Sequence, residues 1–330
     1  MINLLQIKQR FTILRDIKHL SYILFGFILF IFYSIFNKRK GERLYSGYVK
    51  FYATVQSETD GLLKKVAVNF FENPIGYMVR DYFYLKANIG RDKLSTGTIQ
   101  EYSDESLLGY GAVNYAEVKE AGAPLEKQQR GLMIPILKQC LSENPGGLKT
   151  VVEIGCGNGD VIQFLAEQHP NYVFCGVDFF IKNATLKHNH QKNLSFVKGY
   201  ALDLLEAGQL KGDIVFGSST FCVFTPKELE RYLKAIYSAG FSEVILSEPI
   251  WGGYVQTNDM HVISKHVGGS VWFHNYCGYL RQAKFDIKQF DFFHYKQNKS
   301  VRPDIFVSIL RASRQGHFKS ASQSPVSVFS

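Results

Sequence analysis

The stretch VVEIGCGNGDVIQFL, residues 151–165, decides the fold. Val151, Val152 and Ile154 form a short β-branched run of the kind that fills a buried strand, and Val161, Ile162 and Leu165 return at helical spacing. Between them Gly155, Gly157 and Gly159 occupy every second position, which lets the backbone turn tightly and admit a ligand where a side chain would collide. The helix opening near Asp160 adds N–H groups that have no partner within the helix. A dinucleotide fingerprint, GxGxxG, would require glycine at 160. The sequence has Asp160 there, and an anion at the mouth of a helix opposes a pyrophosphate. The loop points to a ligand without one.

The same rhythm continues on both sides of this stretch. TVVEIGC (150–156), YVFCGVD (172–178), SFVKGY (195–200), DIVFGSS (213–219) and EVILSEP (243–249) read as strands, with FDIKQFDFF (285–293) and DIFVSIL (304–310) as two more. Residues 160–169, 182–192 and 226–239 read as helices between them. Strands alternating with helices predict an α/β fold whose parallel sheet is covered on both faces.

The order ExGxGxG after a strand, here Glu153, Gly155, Gly157 and Gly159, resembles motif I of the class I methyltransferases that use S-adenosylmethionine. The resemblance spans about residues 125–311. It implies a Rossmann-like seven-stranded sheet, mostly parallel with an antiparallel last strand, and S-adenosylmethionine as cofactor. In that family the loop, which here includes Cys156, packs on the amino-acid part of the cofactor, and the acid at the place of Glu153 holds its ammonium directly or through water. Asp178 lies nineteen residues after Gly159 at the end of a strand, where the family keeps its ribose-binding acid. A carboxylate there can accept both ribose hydroxyls, although it can equally cap the next helix. Asp203, in FVKGYALDLL, resembles the acid that accepts from the adenine amino group, with the backbone at Ala201 and Leu202 reading the ring edge. An acid following a strand for other reasons is the competing reading of Asp203. Phe179 is placed to pack on the adenine face.

The strand DIVFGSSTF leads to Ser218, Ser219 and Thr220, where the family's active site opens, with Ser218 assigned to the cofactor set. No (N/D)PP(Y/F) sequence follows it, which argues against nucleobase or glutamine nitrogen as acceptor. The clustered carboxylates of the magnesium-dependent catechol type are missing too, although Asp178 and Asp213 stop short of a full exclusion, so no metal is expected. A hydroxyl nucleophile usually needs a base. His261, His266 and His274 fall after the fifth strand, and VWFHNYCGYLRQAKF (271–285) resembles the substrate-side helix of many small-molecule methyltransferases. His274 is the first candidate base and His261 the second. Each also reads as a packing or surface histidine. Glu248, at the carboxyl end of the fifth strand, is the third.

Outside this domain, LSYILFGFILFIFYSIF (20–36) is an uncharged run that spans about 25 Å as a helix. Tyr22 and Tyr33 lie near its ends, and Lys38, Arg39, Lys40 and Arg43 follow with no small-residue cleavage site. These features predict an uncleaved anchor that spans the bilayer or lies in one leaflet. Leu4, Ile7, Phe11, Leu14 and Ile17 before it form the stripe of a basic amphipathic helix. Residues 1–41 are accordingly read as an amphipathic segment and anchor, 42–124 as a helical cap on the substrate side, 125–313 as the catalytic domain and 314–330 as a Ser-rich disordered tail. The aromatic run YMVRDYFYL (77–85) reads first as packing and second as the wall of a lipophilic pocket.

The net charge of +9 is concentrated at the two ends. Residues 1–50 hold nine Lys/Arg against two acids and residues 281–330 nine against three, which leaves the middle at −4. That excludes a nucleic-acid partner as the expectation and leaves the basic ends for anionic lipid. Five cysteines without a CxxC pair fit neither a disulfide framework nor a thiolate zinc site. The expected protein is a membrane-associated methyltransferase with its catalytic domain on the cytoplasmic side. Its acceptor is small or lipid-like, and O-methylation is favoured over C-methylation. A tethered protein or peptide methyltransferase and a non-catalytic cofactor-binding scaffold are the alternatives.

Overall fold

The computed structural model describes residues 43, 45–47, 49, 74–88, 90–94, 131–143, 149–181, 185, 190–251, 263–268, 270–294 and 305–316. The chain divides into two compact units, Met1–Tyr115 with Gly268–Ser270, and Ala116–Val267 with Val271–Ser330. In the first unit, helix α1 (Pro74–Asn88) opens on a proline, whose fixed φ suits the first helical position. Its Phe83, Tyr84 and Ala87 are buried on one face, and the Tyr84 ring meets Tyr45 edge-on at 5.5 Å. From the aromatic run 77–85, Phe83 and Tyr84 therefore pack inside this unit, whereas Tyr82 is exposed and its hydroxyl accepts from Lys86 Nζ at 3.1 Å. Among the described residues no helix is long and apolar enough to cross a membrane. The apolar run 20–36 and the amphipathic stretch before it lie outside those residues, as does the tail from 317.

The second unit carries, in chain order, α2 (Ile134–Ser142), β1 (Thr150–Ile154), α3 (Asp160–Gln168), β2 (Val173–Asp178), β3 (Leu194–Lys198), α4 (Ala201–Glu206) and β4 (Ile214–Ser218). A single 3-10 turn at Phe221–Val223 follows, then α5 (Pro226–Ser238), β5 (Glu243–Trp251), β6 (Ser264–Gly268), β7 (Val271–His274), α6 (Tyr276–Gln282), β8 (Phe285–His294) and β9 (Ile305–Arg314). Seven strands form one sheet in the order β3-β2-β1-β4-β5-β9-β8. The neighbours from β3 to β5 pair in parallel, and β9 runs antiparallel to both β5 and β8. This is the Rossmann-like, mostly parallel α/β sheet. The chain leaves β1 toward β2 and β3, then returns to β4 on the other side of β1. In such sheets ligands gather outside the carboxyl ends of the strands at that reversal.

Both faces of the sheet are covered. Val151, Phe174, Ile214, Phe216, Ile245 and Ile309 pack against Ile134, Leu137, Cys140 and Leu141 of α2 and Val161, Ile162, Leu165 and Ala166 of α3. The opposite pleat phase, Val152, Ile154, Val215, Val244 and Leu246, is buried as well. Strands with both phases buried are what the uninterrupted Val/Ile runs require. Helix α5 begins at a full capping box, in which the Glu228 N–H donates to Thr225 Oγ1 at 3.3 Å and the Thr225 N–H donates to Glu228 Oε2 at 3.2 Å. It buries Leu229, Tyr232, Leu233 and Ile236, spaced three and four apart.

Two expectations need correcting. The helix expected over 271–285 is instead strand β7 followed by the short α6. VWFH pairs with β6 in a two-stranded sheet, and the chain turns helical only after Asn275. The third strand ends at Lys198 rather than Tyr200, and ALDLLE after it forms helix α4, so Asp203 sits in a first helical turn, where an acid favours the N–H end. The helix expected over 182–192 lies mostly outside the described residues.

Candidate functional site

The glycine loop hangs from the end of β2. The N–H groups of Gly155 and Cys156 both donate to Val177 O, at 2.8 and 3.2 Å, and Gly159 N donates to Cys156 O at 2.8 Å. Gly155 and Gly157 have φ of 73° and 52°, a region that residues with a Cβ avoid. A Cβ built on Gly157 would meet nothing within 4 Å, so the main chain there is open to a ligand. Its N–H donates to Asp178 Oδ2 at 2.9 Å, while Oδ1 accepts from Phe180 N at 3.0 Å. The carboxylate at the end of β2 is thereby clamped beside the loop, with two of its roughly four lone-pair sites used and two left. Glu153 is buried on β1 directly before the loop. Burial, and then the charges of Glu153 and Asp178, push the Cys156 thiol well up, so it stays protonated and is no nucleophile.

Beyond Asp178 the Phe179 ring stacks on Tyr200 at 5.4 Å, and Tyr200 meets Tyr232 edge-on at 5.7 Å. The backbone N–H of Leu202, assigned above to the edge of an adenine ring, donates to Tyr232 Oη at 3.1 Å. Ala201 is buried and Asp203 is exposed on α4. Tyr200 was not singled out in the sequence. The available signal was an aromatic directly after a strand-ending glycine, opposite Phe179.

On the far side of the crevice, Ser218 ends β4 half-buried and Ser219 adopts φ of 51°, the left-handed region. A Cβ on Gly155 would fall 2.2 Å from Thr220 Oγ1, so the glycine loop and the β4 turn touch. Glu248, fully buried on β5, reaches under this turn. Its Oε1 accepts from the N–H groups of Thr220 and Phe221, both at 2.9 Å, and its Oε2 from that of Cys222 at 3.1 Å. Burial pushes its pKa up to about 7 against the opposing pull of those three N–H groups.

His274 is fully buried on β7. Its Nε2 lies 3.0 Å from Phe224 O, which can only accept, so the proton sits on Nε2. Nδ1 is then left to accept from Ser264 Oγ at 2.6 Å, and Ser264 Oγ in turn accepts from Tyr279 Oη at 2.7 Å. Burial pushes this imidazole down to about 3, opposed by the Phe224 carbonyl, so it is neutral at every working pH. His261 lies outside the described residues. The structure thus brings together the loop, Asp178, Thr220 and Glu248, and encloses His274 in a separate hydrogen-bonded chain.

Residues 151–239 match a protein-family model described as a methyltransferase domain. No curated protein sequence matches the chain significantly. Solved structures that it resembles include an S-adenosylmethionine-dependent methyltransferase from Methanosarcina mazei (15% identity, TM-score 0.40, covering 55% of this chain and 97% of that one). A magnesium protoporphyrin IX methyltransferase from Synechocystis with bound S-adenosylhomocysteine also matches (17%, TM-score 0.41, 76% and 100%). So does a 1,6-didemethyltoxoflavin N1-methyltransferase from Burkholderia thailandensis (13%, TM-score 0.42, 65% and 89%).

Proposed function

We propose that this protein, an enzyme with a methyltransferase domain at residues 151–239, methylates a small or lipophilic acceptor, at oxygen in preference to carbon. The observation that carries the cofactor part of this reading is Gly157, open to a ligand on its Cβ side and hydrogen-bonded to Asp178 at 2.9 Å. That cradle fits S-adenosylmethionine, the cofactor, which supplies an electrophilic methyl on a sulfonium and carries no phosphate. Glu153 offers a buried negative charge for the ammonium of its amino-acid part. Asp178 offers its two remaining lone-pair sites to the ribose hydroxyls, and the Phe179–Tyr200 pair offers an aromatic face to the adenine. Glu248 and His274 are both enclosed, so removal of an acceptor proton falls to His261 or is unnecessary for an acidic acceptor.

Calorimetric titration of the full chain with S-adenosylmethionine, and separately with NAD, tests the cofactor. Saturable binding of the methyl donor with no binding of NAD is expected; the reverse pattern overturns the assignment. Asp178→Ala should weaken binding by about 1–3 kcal/mol, because it removes a charge-assisted hydrogen-bond pair and releases the Gly157 N–H. Normal binding by that variant would displace the ribose site from Asp178.

The run 20–36 between interfacial tyrosines and a basic cluster supports membrane attachment, with the catalytic domain on the side where the cofactor is made. A lipid-like acceptor follows naturally from that placement. The full chain should sediment with membranes through a high-salt wash, and a chain lacking residues 1–40 should not. A full chain found only in the supernatant ends the anchor reading.

A further inference from the structure

Ser219 holds a left-handed backbone at φ 51° without being glycine, a conformation that persists only where its surroundings over-determine it. Those surroundings are explicit. Its own N–H donates to Ser247 O at 2.9 Å, and the next three N–H groups converge on the carboxylate of Glu248. Burial, and then the charge of Glu248, push the neighbouring Cys222 thiol well up, so it stays protonated beside the carboxylate. Three of the roughly four lone-pair sites of the ionised carboxylate are taken by the turn. The nearby Tyr276 hydroxyl is buried without a hydrogen-bond partner among the described residues. The turn is carried in this way against the glycine loop, with Thr220 filling the space that a Cβ on Gly155 would need.

We infer that Glu248 is a positioning residue of the methyl-transfer site. Its ionised carboxylate holds the turn 219–222 so that Thr220 closes one wall of the cofactor crevice against Gly155. The inference rests on the cofactor reading given above.

Among the described residues no ion pair accounts for the burial of Glu248. Its partners are backbone N–H groups, not a cation, and burial raises its pKa from 4.5 to about 7. A carboxyl raised in this way contributes stability that is fully present below about pH 4.5 and is lost as pH rises through about 7. At pH 8 the buried charge is a cost to the fold, set against the three N–H groups of the turn that it satisfies. The groups that face it are the Cys222 thiol from the turn, the Tyr276 phenol from α6 and Ser308 of β9, whose hydroxyl donates to the Glu248 main-chain carbonyl at 3.0 Å. His274, on the adjacent β7, is neutral. Burial pushes both the thiol and the phenol well up, so among these groups only Glu248 changes charge between pH 6 and 8.

The test uses the full chain and Glu248→Gln, which keeps the shape but turns an amide N–H₂ toward the N–H of Cys222. S-adenosylmethionine affinity of the wild type should climb from pH 6 to pH 8. In the variant it should be about tenfold weaker at pH 8 and flat with pH, while the melting temperature at pH 8 does not fall. A merely structural residue would move the melting temperature and the affinity together. In a Thr220→Gly background, adding Glu248→Gln should cost less than about twofold more, because both act through the same contact. Wild-type-like binding by Glu248→Gln at pH 8, or a full second loss in the Thr220→Gly background, overturns the proposal. If Glu248→Gln does not fold, the wild-type series decides, and a flat affinity from pH 6 to 8 refutes it. If the wild type binds no S-adenosylmethionine at any pH, the cofactor reading fails by itself. Amide hydrogen-exchange protection at 220–222 then decides the positioning role: protection lost in Glu248→Gln supports it and protection retained refutes it.

Discussion

Gly155→Val is expected to yield a protein that binds no measurable S-adenosylmethionine and melts well below the wild type. The expectation first drawn from sequence was a collision with the ligand. The structure gives a different collision. A Cβ at residue 155 would stand 2.2, 2.5 and 2.8 Å from Oγ1, Cγ2 and Cβ of Thr220. Thr220 cannot swing away cheaply, because its N–H is held by Glu248 at 2.9 Å and its hydroxyl donates to Ser218 O at 3.2 Å. Overpacking of that kind costs about 1–3 kcal/mol. The left-handed backbone at φ 73° adds about 1–2 kcal/mol for any residue with a Cβ, and a β-branched one fares worst. Together these take a large fraction of the stability of an ordinary domain. Calorimetric titration and thermal unfolding read the two effects. The remedy also distinguishes the causes: Gly155→Ala combined with Thr220→Gly should recover the overpacking share of the melting temperature lost by Gly155→Ala alone and leave the share set by the left-handed backbone. No recovery would place the obstruction elsewhere.

What could be read from the chain alone depended on how local each signal is. The glycine loop was legible because its requirement, a backbone that residues with a Cβ avoid, is written in three alternating residues. Their φ values fall where that requirement puts them. The sheet was legible because short apolar strands alternating with helices admit few topologies once crossovers are right-handed. Residues 271–274 were misread because β7 has only four residues, too few for a strand signal to outweigh a resemblance to a helix. Gly-Gly at 268–269, close to where two short runs meet, was the hairpin signal that could have found it. Glu248 and His274 show the other limit. Glu248 was named for its place at the end of the fifth strand and His274 for its place after it, but what each side chain does is set by partners 26 to 28 and 50 residues earlier in the chain, at Thr220 to Cys222 and at Phe224. No spacing rule brings those partners together. Only the packing of β5 and β7 against the turn after β4 does so.

At the other end of β5 a second buried carboxylate has what Glu248 lacks, a cation. Glu243 is 1% exposed and takes Arg311 Nε at 3.0 Å on Oε2 and Ser313 Oγ at 2.7 Å on Oε1. The same guanidinium donates through Nη1 to Glu143 at the end of α2, at 2.6 Å, so one side chain ties β9, β5 and α2 together. Arg311→Met should destabilise the protein by about 3–5 kcal/mol, because it leaves the Glu243 charge buried with a single hydroxyl partner. The half-exposed Glu143 contributes little to that figure. For a domain of this size the loss lowers the melting temperature by roughly 10 °C. Adding Glu243→Met should restore much of it, since an apolar pair of similar volume removes the stranded charge. S-adenosylmethionine affinity, measured well below the melting temperature, should stay within about twofold of wild type throughout. Glu243 begins β5 and Glu248 lies toward its carboxyl end, where the crevice opens, so a lesion at the first loosens the sheet without moving the turn that lines the crevice. A large loss of affinity in Arg311→Met at a temperature where it remains folded would show that the two ends of the strand are coupled, and would require the crevice wall to depend on more than the contact from Glu248 through Thr220.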